Sequence, residues 1–268
     1  MSETNEDADA DGQIHYTDRF TAGLELSFGE GFLSPGGREE VAKIVEGIDF
    51  VGKEVLDIGV GLAQPACLLV EEHGAAHVTG IDVEIPLLKR ASDTVEARGL
   101  TDRVFLKCVE PGPLPFTDES FDIVFSKDSI IHIPDTEALF NEIHRVLRPG
   151  GWVAVGDWYC SNEPFTEEMS AWAEQVGLDF AMKPIEISKE QLGAAGFVDV
   201  ESLDRNAWYT EVCRDSVGRI RGPQYATYVE VLGEDGARNE LEIVEKELVV
   251  TLQGQLRPGH LRGRKPES

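Results

Sequence analysis

Short apolar runs alternate with helical patterns through the middle of the chain. The runs KEVLDIGVG, HVTGIDV, RVFLKCV, FDIVFSKD and WVAVGDWYC have the length and the β-branched and aromatic content of buried strands. Between them, QPACLLVEEHG, EIPLLKRASDTVEARGL and DTEALFNEIHRVLRPGG show helical spacing and end in glycine or proline. This alternation predicts an α/β fold, a parallel sheet with helices on both of its faces.

The flanking segments read differently. Near the N-terminus, an irregular or short-helical pattern in HYTDRFTAGLELSFGEGFLSPGG precedes a helical pattern in REEVAKIVEGIDF. Near the C-terminus, we expect a helix followed by a strand in SKEQLGAAGFVDVESLD, and a last edge strand in GHLRGRKP. We expect a disordered acidic tail at residues 1–12 and a single domain at 13–268. Within that domain we expect an N-terminal lid at 13–40, and cap or substrate-binding insertions at 162–185 and 208–252.

Composition and charge narrow the class of protein. Of 268 residues, 41% are hydrophobic, which is enough for a packed core. A formal net charge of −26 repels nucleic acid phosphates and anionic lipid, so we expect neither as a partner; solubility or salt adaptation explains it. No apolar run approaches the roughly 20 residues of a membrane span, and the first residues lack a signal pattern. We expect a cytoplasmic protein, a monomer or weak homodimer.

The cysteines and histidines do not suggest a metal site. Cys67, Cys108, Cys160 and Cys213 are scattered, without metal-ligand spacing or an evident disulfide pattern. We do not expect the six histidines to form a metal site either. We therefore expect no metal, and expect each cysteine to be a small buried apolar residue.

Acidic residues follow the predicted strands. Asp57, Asp82, Glu110, Asp128 and Asp157 fall at or just past the strands' carboxyl ends. Open parallel sheets bind ligands at that edge. Five acids at one rim are more typical of a binding site than of a stabilising feature.

The first of these acids begins a glycine turn, Asp57-Ile58-Gly59-Val60-Gly61, which lacks the third glycine of a dinucleotide loop. A carboxylate there would repel a pyrophosphate but attract an ammonium group. Asp82, at the end of the next strand, can accept hydrogen bonds from two ribose hydroxyls. The ligand is thus predicted to be a nucleoside with a cationic amino-acid tail. The alternative is that both acids only cap turns.

From about Lys53 to Asp157, VLDIGVG, GIDV and LRPGG resemble the cofactor loop, ribose strand and fifth-strand entry of the class I S-adenosylmethionine-dependent methyltransferases. The resemblance implies a Rossmann-like sheet with a helical cap or lid, and S-adenosyl-L-methionine as cofactor. It implies that Glu110 lies near the adenine amino group. The other cofactor contacts expected from this stretch are Asp57, Gly59, Gly61, Asp82, Val83 and Ser126.

Asp128 and His132 stand at the end of the fourth strand with i,i+4 spacing, which a helical turn would place on one side. Methyl transfer to nitrogen requires an amine without its extra proton; a carboxylate can orient an ammonium, and an imidazole can take part in proton removal. A histidine at such a helix start is otherwise usually structural.

Two blocks, SKDSIIHIPD and HYTD with FGEGFLSPGG, resemble a narrower family, the phosphoethanolamine N-methyltransferases. That resemblance implies that Tyr16 and His132 form a catalytic pair while Asp128 holds the amine. It also implies that Leu33 and Ser34 lie near the cofactor, beneath a lid.

The basic and tyrosine residues with which this family holds its substrate's phosphate are sparse here. Trp158 stands where a tyrosine is usual, although Tyr159 follows, and FTEEMSAWAEQVGLDF has no Arg, Lys or Tyr. Lys246 lies among glutamates. Other basic residues could still be recruited: Arg219, Arg221 and Arg257.

Aromatic residues suggest a different binding mode. Trp158, Trp172, Trp208 and Tyr209, with Tyr159, could surround a cationic amine, because aromatic faces attract ammonium groups by about 0.5–2 kcal/mol each. The alternative is that most of these tryptophans are core residues.

The sequence therefore predicts an N-methyltransferase of a small amine: phosphoethanolamine, or a free amine such as glycine, sarcosine, dimethylglycine or an ethanolamine. The sarcosine/dimethylglycine methyltransferases carry a similar Asp-to-His stretch. The product could be a choline or betaine-type osmolyte. Two alternatives stay open, an S- or O-methyltransferase and a non-catalytic S-adenosylmethionine-binding protein.

Overall fold

A computed structural model describes residues 16–177 and 180–267. The predicted acidic tail at residues 1–12 and the start of the predicted lid, 13–15, lie outside the described residues. Within them, no helix is long and apolar enough to cross a membrane.

The described strands form one seven-stranded sheet with the order β3-β2-β1-β4-β5-β7-β6. The first five strands run parallel, and β7 runs antiparallel to both of its neighbours. The strands are β1 (Glu54–Ile58), β2 (His77–Asp82), β3 (Val104–Cys108), β4 (Phe121–Lys127), β5 (Leu147–Cys160), β6 (Val198–Asp204) and β7 (Leu256–Arg264).

Helices cover both faces of this sheet, as the sequence predicts. They are α1 (Asp18–Phe28), α2 (Gly37–Ile44), α3 (Gln64–Glu71), α4 (Ile85–Ala97), α5 (Thr136–Val146), α6 (Glu167–Val176), α7 (Ile185–Ala194), α8 (Asn206–Arg221) and α9 (Tyr225–Leu252). A 3₁₀ turn, Ile130–His132, precedes α5.

Alternation along the central strands separates two cores. One face of the sheet, with residues such as Val55 and Phe125, packs against α2, α3 and α4. The opposite face, with Leu56 and Val124, packs against α5 and α7. Helices α6, α8 and α9 add a third, aromatic-rich core above the sheet, and α1 packs on α9.

The prediction that the last strand forms the sheet edge is wrong. Strand β7 is mostly buried between β5 and β6, and β6 is the largely exposed edge. Charged β7 can occupy this place because its arginines pair with acids of β6. The pairs are Arg257–Asp204, Arg262–Glu201 and Arg264–Asp199.

Candidate active site

The glycine loop after β1 is held tightly against its neighbours. The N–H groups of Gly59 and Val60 donate to the carbonyl of Ile81 at 2.9 and 3.0 Å. Gly59 has a φ of +75°, and a Cβ there would lie 1.7 Å from Ser129 Oγ. Only glycine fits this position, because the backbone is left-handed and Ser129 fills the space a side chain would need. No pattern in the sequence pointed to this role of Ser129.

Asp82 fixes the far side of the loop. Its Oδ2 accepts from Gly61 N–H at 2.9 Å, and its Oδ1 accepts from Glu84 N–H at 3.0 Å. Burial raises the pKa of Asp82. Each oxygen keeps a second lone pair, so the predicted ribose contact is compatible with this geometry. Val83 beside it is 40% exposed, and Glu110 is exposed beyond the end of β3.

Asp57 is the residue of the loop that calls for a ligand. It is buried, and its Oδ2 has no hydrogen-bond partner among the described residues. Burial, followed by the charge of Asp82, raises the pKa of Asp57 to about 8. A carboxyl group in this position gains a partner when an ammonium group binds, so the site fits a nucleoside with an α-ammonium tail.

The segment between α1 and α2 covers the loop. A Cβ on Gly31 would lie 3.2 Å from Gln64, and one on Gly61 would lie 3.2 Å from Leu33 Cδ1. Ser34 Oγ accepts a hydrogen bond from Lys127 Nζ at 2.6 Å. Leu33 therefore lies against the glycine loop, and Ser34 is bound by Lys127. The cofactor contacts predicted for Leu33 and Ser34 stay predictions.

Ser126 is fully buried, and its hydroxyl donates to the carbonyl of Ile58 at 2.8 Å. This bond ties β4 to β1 directly below the glycine loop. The predicted cofactor contact of Ser126 stays a prediction.

Lys127 and Asp128 form a buried ion pair at the end of β4. Lys127 Nζ lies 2.6 Å from Asp128 Oδ2, and the two side chains are 3% and 13% exposed. The same ammonium donates to the carbonyl of Pro35 at 3.0 Å. Asp128 has a φ of +54°, and its N–H donates to Gly156 O at 2.7 Å. Lys127 was missed by the sequence reasoning, although a lysine inside an otherwise apolar strand end was a usable signal.

Tyr16 lies close to the acids of the rim. Burial raises the pKa of Tyr16, and the charges of Asp82, Glu84 and Asp128 raise it further. Its phenol is therefore protonated at neutral pH and can donate a hydrogen bond.

His132 ends the 3₁₀ turn, and its ring centroid lies 5.7 Å from that of Phe180. The helical turn predicted from Asp128 to His132 is shorter than expected, because the left-handed Asp128 stands outside it. The catalytic pairing of Tyr16 with His132 stays a prediction.

Asp157 lines the same cleft as Asp128 and also holds the neighbouring backbone. Its oxygens accept the N–H of Ile131 at 3.1 Å and of Trp158 at 2.7 Å. Burial, then the charge of Asp128, raises the pKa of Asp157 well above its usual value. Tyr159 is buried beside it, and burial followed by Asp157 and Asp128 raises its pKa as well.

The predicted aromatic residues fall into two groups. Trp158 and Trp208 both contact Tyr209, with centroid distances of 4.8 and 5.9 Å, and both line a cleft that also contains Lys127 and Asp128. Buried Trp172 does not line this cleft: it stacks on Phe180 at 5.8 Å, on the side of His132.

The arginines considered for phosphate binding are engaged elsewhere. Arg219 pairs with Asp215 at 3.1 Å, and Arg221 pairs with Glu245 at 2.7 Å. Arg257 pairs with Asp204 on the sheet edge, and Lys246 donates to Gln175. None of these four residues lines the cleft beside Asp128. Within the described residues, no group of three or more His, Cys, Asp or Glu could hold a metal ion.

Comparison with known proteins agrees with this geometry. Residues 56–155 match the family model described as a methyltransferase domain. With the sheet and the glycine loop, this match defines a class I S-adenosylmethionine-dependent methyltransferase domain.

Within that class, the chain is similar to the phosphoethanolamine N-methyltransferases. It is 32% identical over 197 residues to phosphoethanolamine N-methyltransferase 1 of Arabidopsis thaliana, covering 73% of this chain and 39% of that protein. The structure of Haemonchus contortus phosphoethanolamine N-methyltransferase 2, with phosphomonomethylethanolamine and S-adenosylhomocysteine, superposes with a TM-score of 0.86 and 26% identity over 95% of this chain and 59% of that one.

A protein from Galdieria sulphuraria, assigned as a sarcosine dimethylglycine methyltransferase, shares the fold with a TM-score of 0.74 at 21% identity, over 86% of this chain and 85% of that one. The chain spans 39% of the Arabidopsis protein and 59% of the Haemonchus chain, which is less than two thirds of either.

Proposed function

We propose that the chain is an N-methyltransferase that transfers the methyl group of S-adenosyl-L-methionine to a small amine. One observation carries the proposal: Asp128 lies at the end of β4 close enough to Tyr16 to shift its pKa, and it lines the cleft that contains Trp158 and Trp208. An acid beside aromatic faces suits a cationic amine rather than a neutral acceptor.

The cofactor would lie across the carboxyl ends of β1, β2 and β4. Asp57 would bind its α-ammonium group, and Gly59 and Gly61 would allow close approach of the backbone. Asp82 would accept the ribose hydroxyls, and Leu33 would cover it. Further contacts would come from the remaining predicted residues Ser34, Val83, Glu110 and Ser126. When bound, S-adenosylmethionine supplies an electrophilic methyl group.

The protein's own part in the chemistry is to orient and deprotonate the amine. Asp128, with one oxygen held by Lys127, would orient the acceptor's nitrogen. His132 would receive the proton that the ammonium must lose, and the neutral Tyr16 phenol would donate a hydrogen bond beside it. The lid and the α6, α8 and α9 cap would exclude water, so that alignment supplies much of the rate.

We infer the class of methyl acceptor from the named relatives and from the residues that line the cleft. Relatives from Arabidopsis thaliana, Triticum aestivum and Caenorhabditis elegans are phosphoethanolamine N-methyltransferases by name. Free amines, namely glycine, sarcosine, dimethylglycine and ethanolamines, are the competing acceptors, because the cleft beside Asp128 lacks the arginines first considered. Either type leads toward a choline or betaine-type product.

The test is a side-by-side acceptor panel. Purified protein and methyl-labelled S-adenosylmethionine would be incubated with phosphoethanolamine, glycine, sarcosine, dimethylglycine and ethanolamine, with mass-spectrometric detection of N-methylated products. We expect turnover of at least one amine. Binding of the cofactor with no turnover of any amine would indicate a non-catalytic binding protein, and turnover of only thiols or alcohols would indicate an S- or O-methyltransferase.

A further inference from the structure

Trp208, in the first turn of α8, is held between an arginine and a glycine. The Arg205 guanidinium lies over its ring, with Cζ 4.5 Å from the ring centroid. A Cβ on Gly36 would lie 2.9 Å from Trp208 Cζ2, so the edge of the ring rests against the backbone of the segment between α1 and α2. Two contacts from distant parts of the chain therefore fix the plane of this tryptophan.

Arg205 is itself held by a buried carboxylate. Its Nε and Nη2 donate to Glu40 Oε1 and Oε2 at 3.0 and 2.6 Å, and Glu40 Oε1 lies 2.6 Å from His260 Nε2. The side chains of Glu40, His260 and Arg205 are 8%, 10% and 18% exposed. A planar guanidinium bound by both oxygens of one carboxylate has a fixed orientation. Glu40 therefore determines how Arg205 presents its face to Trp208.

This cluster borders the cleft that contains Asp128. Trp208, Glu40 and His260 line the cleft together with Asp128 and Trp158. Each of the two tryptophans contributes aromatic surface and one N–H donor, and an indole has no hydrogen-bond acceptor. What these rings offer to a ligand thus depends on the direction in which their faces point.

The acids of the lining leave little else for a nitrogen group to bind. The oxygens of Glu40 are engaged by Arg205, those of Asp157 accept backbone N–H groups, and one oxygen of Asp128 is held by Lys127. An N–H group that meets an aromatic ring instead of an acceptor loses its hydrogen bond to water. A methyl group in its place keeps the positive charge on the amine and contacts the ring favourably.

We propose that Arg205 is a positioning residue for the methyl acceptor: held by Glu40, it sets the plane of Trp208 and so determines how well this ring meets the acceptor's nitrogen group. The inference rests on the proposed function, because it assumes an acceptor whose nitrogen lies at Asp128. Arg205 is not among the described residues that line the cleft, so it acts through the ring. Its influence grows with the number of methyl groups on the nitrogen.

The test is a set of acceptors that differ in methyl number. KM and kcat would be measured for ethanolamine, phosphoethanolamine and glycine, each without and with one or two N-methyl groups. The variants are Arg205→Lys, which keeps the charge but loses the planar fork, Trp208→Leu, and the two combined. Arg262→Lys is the matched control, because Arg262 also binds a glutamate, Glu201, through two nitrogens, but in a solvent-exposed pair.

A second measurement reports the ring without turnover. Binding of tetramethylammonium chloride would be followed by ligand-observed NMR in the presence of S-adenosylhomocysteine. Ammonium chloride at the same concentration controls for charge alone, and thermal melting verifies that each variant folds.

We expect Arg205→Lys to raise KM for a dimethylated acceptor about fivefold or more, and KM for the unmethylated form by a smaller factor. The kcat values should stay within about twofold, since the reacting groups are untouched. Tetramethylammonium binding should weaken in parallel. Arg205→Lys should add little in the Trp208→Leu background, because the ring through which it acts is gone. Arg262→Lys should resemble wild type.

The outcomes separate this inference from the proposed function. Turnover with a KM that Arg205→Lys leaves unchanged, or raises equally with and without Trp208, overturns the positioning role and leaves the methyltransferase. Tetramethylammonium binding that Arg205→Lys and Trp208→Leu both weaken, with no turnover of any amine, supports the positioning role and overturns the proposed function. Absence of both binding and turnover overturns both.

Discussion

Lys127 Nζ lies 2.6 Å from Asp128 Oδ2, and the same ammonium holds Ser34 Oγ and the carbonyl of Pro35. The acid proposed to orient the amine is thus joined to the segment that covers the cofactor loop. One buried cation fixes both the carboxylate's direction and the position of the segment between α1 and α2.

Asp128→Asn should impair the binding and methylation of the amine and leave cofactor binding largely intact. We expect kcat/KM for the acceptor to fall at least about 100-fold, because both orientation and charge at the nitrogen are lost. Cofactor affinity, measured by calorimetry, should change less than threefold. Asp118→Asn, an exposed acid away from the site, serves as the control. A normal kcat/KM in Asp128→Asn would contradict the assigned role.

Cofactor binding should depend on the ionisation of Asp57. Because its pKa is raised to about 8 in the free protein, a cationic ligand must displace a proton. The Kd for S-adenosylhomocysteine, whose α-amino group is charged, should decrease as pH rises from 6 toward 8. Calorimetry in buffers of different ionisation enthalpy should detect proton release, which Asp57→Asn should abolish.

The same shift predicts how the free protein's stability responds to pH. A carboxyl group with a raised folded-state pKa holds its proton in the folded chain while the unfolded chain releases it. Asp57 therefore lowers the free energy of unfolding, by an amount that grows as the pH rises from about 4 to about 8. Asp57→Asn should flatten this part of a urea-denaturation series; an unchanged slope would show that Asp57 is not the group responsible.

Gly59→Ala should be more damaging than an alanine at another left-handed glycine. Both Gly59 and Gly99 have positive φ, +75° and +66°, but only at Gly59 would the Cβ collide, with Ser129. Gly99→Ala measures the backbone strain alone, about 1–2 kcal/mol. We expect Gly59→Ala to exceed it and to abolish cofactor binding, with Ser129→Gly restoring part of the loss. Equal destabilisation in the two alanine variants would contradict this account.

Glu40 should stabilise the fold from the lid side. It accepts from Arg205 at 2.6 and 3.0 Å and lies 2.6 Å from His260 Nε2. Burial alone would raise its pKa, but these partners lower the pKa of Glu40 to about 2. Glu40→Gln should cost roughly 3 kcal/mol, since it removes one partner of a buried cluster.

The lowered pKa of Glu40 also determines how its contribution to stability changes with pH. The stabilisation from Glu40 is complete above its unfolded pKa near 4.5, and it is lost as pH falls toward 2. Wild type and Glu40→Gln should therefore converge in stability under acid. Glu211→Gln, in an exposed ion pair, should change stability by less than about 1 kcal/mol.

Tyr16 and His132 should differ in their pH–rate profiles. Because burial raises the Tyr16 pKa, Tyr16→Phe should lower kcat roughly 10- to 100-fold without removing a limb of the profile. In the wild type, the His132 imidazole must be neutral to accept a proton, so the rate should fall at acidic pH. His132→Ala removes this imidazole and should therefore remove the acidic limb of the profile. Tyr225→Phe, outside the site, is the control. Retention of the acidic limb in His132→Ala would assign it to another group.

The sequence by itself determined the features that depend on local pattern. Apolar runs of strand length, glycine and proline stops, and acids at the strand ends predicted the sheet, its two helical layers and the rim that contains Asp57, Asp82 and Asp128. These signals are readable because periodicity and turn chemistry act between residues that are close in the chain.

Tertiary structure decided the rest, because it depends on which distant residues pack together. The sequence did not show that Glu40 would meet Arg205 and His260, that arginines would let β7 lie inside the sheet, or that Lys127 would bind Ser34. Even the short step from Asp128 to His132 was mispredicted, because a left-handed residue held by the carbonyl of Gly156 ends the strand before the turn begins. Such conformations are fixed by hydrogen bonds and packing across the sheet rather than by local preference.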